Sequence, residues 1–267
     1  MLRSEWGMPI HTIDDLDDPN FASVATWVHE AQRITVLTGA GISTDSGIPD
    51  FRGPQGLWTK NPKAELTSTI DYYLSDPEVR RLAWEGRVRN LARIRPEPNI
   101  GHHTLKRLED QGRLRALVTQ NVDGLHHAAG HSPDKVIEVH GSWRETVCWS
   151  CGDRRPMMES VQRVIDGEPD PPCLLCNGIL KSATILFGEA LVPEVIGAAM
   201  DAAEDCDLLL AVGTKLSVGP VNNVVPRARA AGARVVIVNA ESTDLDRFAD
   251  ALVLGQVAEV LPRFIPD

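Results

Sequence analysis

What this chain of 267 residues lacks narrows its function at once. It has no excess of basic residues: 27 Lys and Arg stand against 37 Asp and Glu, a net charge of −10. General nucleic-acid binding needs a basic surface that displaces counterions from phosphates, so direct nucleic-acid contact is disfavoured. No apolar run reaches membrane-spanning length, and the first thirty residues carry Asp14, Asp15, Asp17 and Asp18 without an apolar stretch of signal length. These absences predict a soluble cytoplasmic protein with no membrane contact. Aromatic residues are scarce, at 5%, and no repeat or low-complexity tract interrupts the chain. Its 43% hydrophobic content still suffices for one substantial core plus a small appended module. An acidic surface suits lysine-rich protein segments as partners.

Cysteine is rare too, five residues in all, yet four of them form two pairs, Cys148-x-x-Cys151 and Cys173-x-x-Cys176. The chain is far longer than the small secreted scaffolds that use dense disulfides. Each CxxC brings two thiolates to one ion, and two such pairs complete a closed four-sulfur site of the structural zinc type. Four protein ligands leave no open position for water, so the expected zinc braces the fold and does no chemistry. Trp143 and Trp149 flank the first pair and are expected to pack the knuckle. Cys206 reads as a small buried hydrophobe. His102, His103, His126, His127 and His131 are not expected to bind metal, since the thiolates already satisfy one ion and the histidines lack a helical i, i+4 pair.

Short β-branched runs alternate with amphipathic stretches, the pattern of a parallel sheet covered on both faces by helices. Strands are predicted at 34–37, 116–119, 136–139, 208–212 and 235–238, each ending in glycine or polar residues. Ligands of open α/β sheets bind outside the carboxyl ends of strands, so these termini should share one crevice. Helical spacing marks 22–30 and 100–108, the second with Asn99 as N-cap and Gly112 as its stop. Residues 50–98 and 144–183 break the alternation. The expected division is therefore a doubly wound, Rossmann-like body of residues 1–49, 99–143 and 184–267, with an inserted helical module at 50–98 and a zinc-binding module at 144–183 forming one smaller domain.

The loop after the first of these strands, Gly39-Ala40-Gly41-Ile42-Ser43, departs from the common dinucleotide fingerprint. Thr44 stands where a third glycine is usual, and no acidic residue ends a second strand about twenty residues on. Its continuation, Asp45-Ser46-Gly47-Ile48-Pro49-Asp50-Phe51-Arg52-Gly53, adds backbone amides and an arginine suited to phosphate.

The run GAGISTDSGIPDFRG at 39–53, with Gly56-Leu57-Trp58 after it, resembles the sirtuin signature. Thr119 to His126, Ala129-Gly130, Glu138 to Gly141, the cysteine pairs, Phe187-Gly188-Glu189, Gly213-Thr214 and Val238-Asn239 follow in that family's order, so the resemblance covers about residues 33–255. It implies an NAD-dependent protein lysine deacylase in which NAD is a co-substrate. The acyl oxygen of a modified lysine attacks the ribose carbon bearing nicotinamide, nicotinamide leaves, and the acyl group ends on ADP-ribose. By the same resemblance His140 is the general base, an imidazole that titrates near neutrality. Gln120 and Asn121 approach the ribose, while Asn121, Asp123 and Ile48 line the nicotinamide pocket. Phe51 shields the reacting carbon, and Ser43 and Arg52 hold ribose or phosphate oxygens, with Gly39, Ala40, Gly41 and Asp50 in the same loop. Gly213, Thr214, Lys215, Asn239 and Glu241 border the adenosine half. Ile185, Phe187, Gly188 and Glu189 are expected to meet the acyl-lysine protein, and a monomer or weak oligomer is expected.

Three departures from the family pattern stand out. Lys215 follows Gly213-Thr214 where a small hydroxyl is usual. Ser182 to Phe187 replaces a stretch that usually holds a proline and a valine. Sirtuins that take succinyl or malonyl groups carry a Tyr-x-x-Arg pair, and the corresponding stretch here reads Trp84-Glu85-Gly86-Arg87, so neutral acyl groups such as acetyl are expected. Two other functions stay open on the sequence, mono-ADP-ribosyl transfer to protein and a non-catalytic NAD or acyl-ADP-ribose sensor, because fold alone does not secure activity. His140, Asn121 and Asp123 favour deacylation.

Overall fold

The computed structural model describes residues 10–15, 17–48, 66–93 and 96–266. A seven-stranded sheet, parallel throughout, forms its centre. Its strands are β1 (His11–Ile13), β2 (Ile34–Thr38), β3 (Leu114–Thr119), β4 (Val136–Glu138), β8 (Leu208–Val212), β9 (Arg234–Asn239) and β10 (Ala251–Leu254). They lie in the order β1-β10-β9-β8-β2-β3-β4. The chain runs outward from β2 through β3 to β4, then resumes on the other side of β2 with β8. That reversal between β2 and β8 is the topological switch point at which such sheets open a crevice.

Strand residues are apolar on both faces because both faces are covered. Leu208, Leu210 and Val212 join a core with α1 (Pro19–Glu30), α4 (Ile100–Asp110) and α9 (Val257–Phe264), through Val24, Val28, Leu105, Leu108, Val260 and Phe264. Leu209 and Ala211 point the other way, into a core with α7 (Pro193–Glu204) and α8 (Val224–Ala230). Successive strand side chains take opposite faces, so a continuous run such as LLLAV serves two cores at once. Asp18 caps α1, its carboxylate accepting the Asn20 N–H at 2.7 Å, and Pro19 supplies a fixed first-turn φ.

A second sheet of three antiparallel strands comprises β5 (Gly141–Cys148), β6 (Arg154–Pro156) and β7 (Leu180–Thr184), in the order β6-β5-β7. Packed with it are α2 (Ile70–Ser75), α3 (Pro77–Arg93) and α6 (Met157–Ile165). Trp84 of α3, Met157 and Val161 of α6, Leu180 of β7, Cys148 and Cys173 form one buried cluster. Arg80 of α3 ties this helix to the cysteine segment, pairing with Asp170 at 2.8 Å and donating to the Tyr73 carbonyl at 3.2 Å. Among the described residues no helix is long and apolar enough to cross a membrane.

Candidate active site at the sheet switch point

The glycines of the β2 and β8 loops are explained by contact with each other. A Cβ on Gly41 would lie 2.8 Å from Gly213 Cα, and one on Gly213 would lie 2.6 Å from the Ile42 nitrogen. Gly213 also adopts φ +60, the left-handed region. Gly41 N–H donates to the Gly213 carbonyl at 2.8 Å, and Gly39 N–H to the Val212 carbonyl at 3.1 Å. The two loops are thus locked backbone to backbone. Ala40 and Ile48 sit half-buried beside them. Asp50, Phe51 and Arg52 lie outside the described residues.

Ser43 is the centre of a polar network on this loop. It is 1% exposed, and its hydroxyl donates to Asp123 Oδ2 at 2.7 Å while accepting from Asn121 Nδ2 at 3.2 Å. Asn121 also donates to the Gly39 carbonyl at 3.0 Å, and Asp123 accepts the Leu125 N–H at 3.0 Å. Burial pushes the Asp123 carboxyl above its ordinary value, with the Leu125 amide and the Ser43 hydroxyl pulling it back. Gln120 reaches across the crevice, its amide donating to the Thr214 hydroxyl at 2.9 Å.

His140 follows β4, and its Nδ1 lies 2.9 Å from the Gln120 carbonyl. A carbonyl only accepts, so Nδ1 carries the proton of the neutral ring and Nε2 keeps its lone pair. Burial lowers the His140 pKa below 6.5, and the Gln120 carbonyl partly offsets it. A neutral, oriented imidazole is what a general base at neutral pH requires.

On the far side of β8, Thr214 and Asn239 are buried at the strand ends, 6% and 7% exposed. Asn239 donates to the Glu241 carbonyl at 2.7 Å, and Lys215 pairs with Glu241 between the two loops. Ser43, Asn121, Thr214 and Asn239 therefore line strand ends with hydrogen-bonding groups, a donor and acceptor set suited to the ribose and phosphate oxygens of a dinucleotide. Ile185 and Glu189 line a groove of about 780 Å³ with Gly141, Ser142, Val192 and Val195. Ile185 N–H donates to the His140 carbonyl at 2.8 Å, Phe187 is 44% exposed, and Gly188 turns at φ +85.

Trp84 and Arg87, the expected acyl contacts, lie against the small sheet. Trp84 is 0% exposed within the cluster around Cys148 and Cys173. Arg87 stacks over the Trp84 ring, 4.7 Å from its centroid, and donates to the Ser182 hydroxyl at 3.1 Å. Trp149, expected to pack the knuckle, is 47% exposed.

The four cysteines form no disulfide, and their sulfurs all lie within 4.8 Å of one another. Cys148 and Cys176 sulfurs are 3.4 Å apart, Cys151 and Cys173 3.7 Å. Zinc–sulfur bonds of about 2.3 Å in a tetrahedron require sulfurs roughly 3.8 Å apart, which these separations fit. Each pair is followed by a left-handed residue, Gly152 at φ 73 and Asn177 at φ 61, that turns the chain around the metal position. Burial raises the Cys148 thiol, but the Cys151 and Ser150 amides outweigh it and bring its pKa down to about 7.

Sequence reasoning missed two members of the network. Asn99 was read as an N-cap, and it is one, accepting the Gly101 N–H at 2.9 Å. Its amide also donates to the Ile42 carbonyl at 2.8 Å and to Ser46 at 2.9 Å, binding α4 to the glycine loop. His102 is fully buried, accepts the Asn99 N–H on Nδ1 at 3.3 Å, and so presents Nε2–H toward the Ser43 hydroxyl at 3.5 Å. The Asn99-x-x-His102 spacing, that of a capping box with His at its third helical position, is the signal that could have found this pair.

The chain is similar to known proteins. A family model described as the Sir2 family matches residues 39–220. "NAD-dependent protein deacetylase 2" of Streptomyces coelicolor is 47% identical over 232 residues, covering 87% of this chain and 96% of that protein. "NAD-dependent protein deacylase 2" of Pyrobaculum aerophilum is 38% identical over 245 residues, covering 92% and 94%. A solved Sir2 homologue–NAD complex superposes with TM-score 0.81 at 32% identity, covering 96% of this chain and 94% of that one. A Sir2 histidine-to-alanine variant with a deacetylated p53 peptide and 3'-O-acetyl ADP ribose gives TM-score 0.79 at 32% identity, covering 91% and 96%. With its sheet order, its interlocked glycine loops and these likenesses taken together, the chain belongs to the Sir2 family.

Proposed function

We propose that the protein is an NAD-dependent protein lysine deacylase that moves the acyl group from lysine to ADP-ribose and releases nicotinamide. The observation that carries this reading is the His140 geometry, a neutral ring held by the Gln120 carbonyl with Nε2 left basic. In the proposed sequence the acyl oxygen attacks the nicotinamide-bearing ribose carbon, and His140 then takes a proton from a ribose hydroxyl. Asn121, Asp123 and Ser43 hold the nicotinamide ribose end, each fixed by the others. Gln120 and Thr214 bridge the crevice, and Asn239, Lys215 and Glu241 border the adenosine. Ile185 to Glu189 receives the acyl-lysine segment of the protein substrate.

Zinc, held by Cys148, Cys151, Cys173 and Cys176, braces the β5–β7 ribbon and contributes no step. We take residues 50–98 and 144–183 as the smaller unit beside the Rossmann-like body, in keeping with the cluster that α3 shares with the cysteine segment. Neutral acyl groups, acetyl foremost, suit a chain whose Trp84 is buried and whose Arg87 is engaged with Ser182. The net charge of −10 favours a lysine-rich protein substrate over nucleic acid. A cytoplasmic chain acting as a monomer or weak oligomer completes the reading. The test is nicotinamide release from NAD with and without an acetyl-lysine peptide: release that depends on the peptide supports the proposal, and release indifferent to it contradicts it.

A further inference from the structure

One buried cation of the groove lined by Ile185 and Glu189 has no role assigned above. Lys181 lies on β7 and is 2% exposed. Its ammonium is 3.1 Å from Glu189 Oε2, 2.6 Å from the Thr184 carbonyl and 3.1 Å from the Ser182 carbonyl. An ammonium has three protons, so these three acceptors satisfy it, and all belong to the stretch 182–189. None of the three bonds goes to Ser43, Asn121, Asp123 or His140.

Glu189 closes the same stretch from its other end. Its Oε2 accepts the Leu186 N–H at 3.0 Å, and its own N–H donates to the Leu186 carbonyl at 3.0 Å. The result is a tight turn through Gly188 with the carboxylate inside, seated on the Lys181 ammonium. This turn is anchored on both flanks: Ile185 N–H bonds the His140 carbonyl at 2.8 Å, and Phe187 N–H bonds the Ser68 carbonyl at 2.8 Å. Burial depresses the Lys181 pKa and Glu189 pulls it back. Removing one partner of such a pair strands the other charge, which is why the two residues act together.

We propose that Lys181 is a positioning residue for the acyl-lysine peptide: through Glu189 and the Thr184 carbonyl it fixes the 185–188 backbone against which an extended peptide segment docks. Main-chain pairing of this kind gives affinity only where the receiving backbone is already set, so the ammonium acts on peptide binding and not on NAD cleavage. The inference rests on the deacylase reading above.

The experiment is steady-state kinetics with NAD and an acetyl-lysine peptide on the parent protein, Lys181→Met, Lys181→Arg and the double variant Lys181→Met with Glu189→Met. NAD dissociation constants and zinc content are measured alongside. The expected result is a peptide KM raised about tenfold or more in Lys181→Met, with kcat, NAD affinity and zinc content within about twofold, and recovery in Lys181→Arg. The double variant leaves no stranded buried charge and keeps the test open where the single one fails to fold; it too should show the raised peptide KM. An unchanged peptide KM in either methionine variant overturns the proposal, as does a parallel loss of NAD affinity and zinc, which marks a mere structural brace. A parent protein that releases no nicotinamide with the peptide sinks the deacylase reading instead, before any variant is compared.

Discussion

His140 and Gln120 are joined through the main chain: the imidazole Nδ1 donates to the Gln120 carbonyl across 2.9 Å. Since the Gln120 side chain donates to Thr214, one residue fixes the ring of the proposed general base and also spans the crevice between β3 and β8. The proposed base and the proposed nucleotide cradle are therefore set by the same short turn after β3.

That relationship predicts the pH dependence of catalysis. Burial holds the His140 pKa below 6.5, and only the unprotonated ring accepts a proton. The kcat/KM for deacylation should be level above pH 6.5 and fall on acidification, approaching tenfold per unit below the folded pKa. An acid limb centred above pH 7.5, or one that persists in a folded His140→Ala protein, contradicts the assignment. His140→Ala itself should slow deacylation by roughly 10²- to 10⁴-fold.

Acid stability follows from three buried histidines, His102, His126 and His131, in tilted and edge-on contact with ring centroids 5.0 Å and 5.6 Å apart. Burial lowers all three, His102 from 6.5 to about 4. The unfolded chain then binds more protons between those values, so their contribution is fully present above pH 6.5 and is lost as pH falls toward 4. For His102 the loss is on the order of 1–3 kcal/mol. Urea midpoints measured from pH 7.5 to pH 4.5 should fall less steeply in His102→Gln than in the parent; identical slopes would show that His102 is not held neutral.

Metal removal should act on the small sheet first. One zinc per chain is expected, contributing on the order of 10 kcal/mol to the folding of its module. Stripping it should expose Trp84, which packs on the same cluster as Cys148 and Cys173, and shift its fluorescence to the red. Protein purified without chelator that contains no stoichiometric zinc by elemental analysis would refute the site.

Trp84 separates packing from acyl choice. Its burial predicts that Trp84→Ala costs about 3–5 kcal/mol, while Trp84→Tyr leaves the ratio of succinyl- to acetyl-lysine turnover within about twofold. A large shift toward succinyl in Trp84→Tyr would return this residue to the acyl pocket.

The sheet was largely legible in the sequence because its strands are buried on both faces and read as uninterrupted β-branched runs. The predicted segments at 34–37, 116–119, 136–139, 208–212 and 235–238 became β2, β3, β4, β8 and β9. The strands His11–Ile13 and Ala251–Leu254 escaped notice because three or four residues carry no period, and only pairing against β9 and each other makes them strands. The antiparallel ribbon was hidden for another reason: its residues were read through their cysteines, and the register shift between Ser142 and Thr146 breaks the alternation that marks a strand. In the site, residues held in the glycine and Asn-Val-Asp motifs were readable as motifs. The Ser43–His102 and Lys181–Glu189 contacts were not, since each depends on a fold-back that spacing along the chain does not encode.

The central claim is tested most directly by identifying products. Mass spectrometry of a reaction with NAD and an acetyl-lysine peptide should find free lysine in the peptide, nicotinamide, and ADP-ribose carrying the acetyl group, in equal amounts. Intact acetyl-lysine with ADP-ribose attached to protein, or NAD left whole, would contradict it.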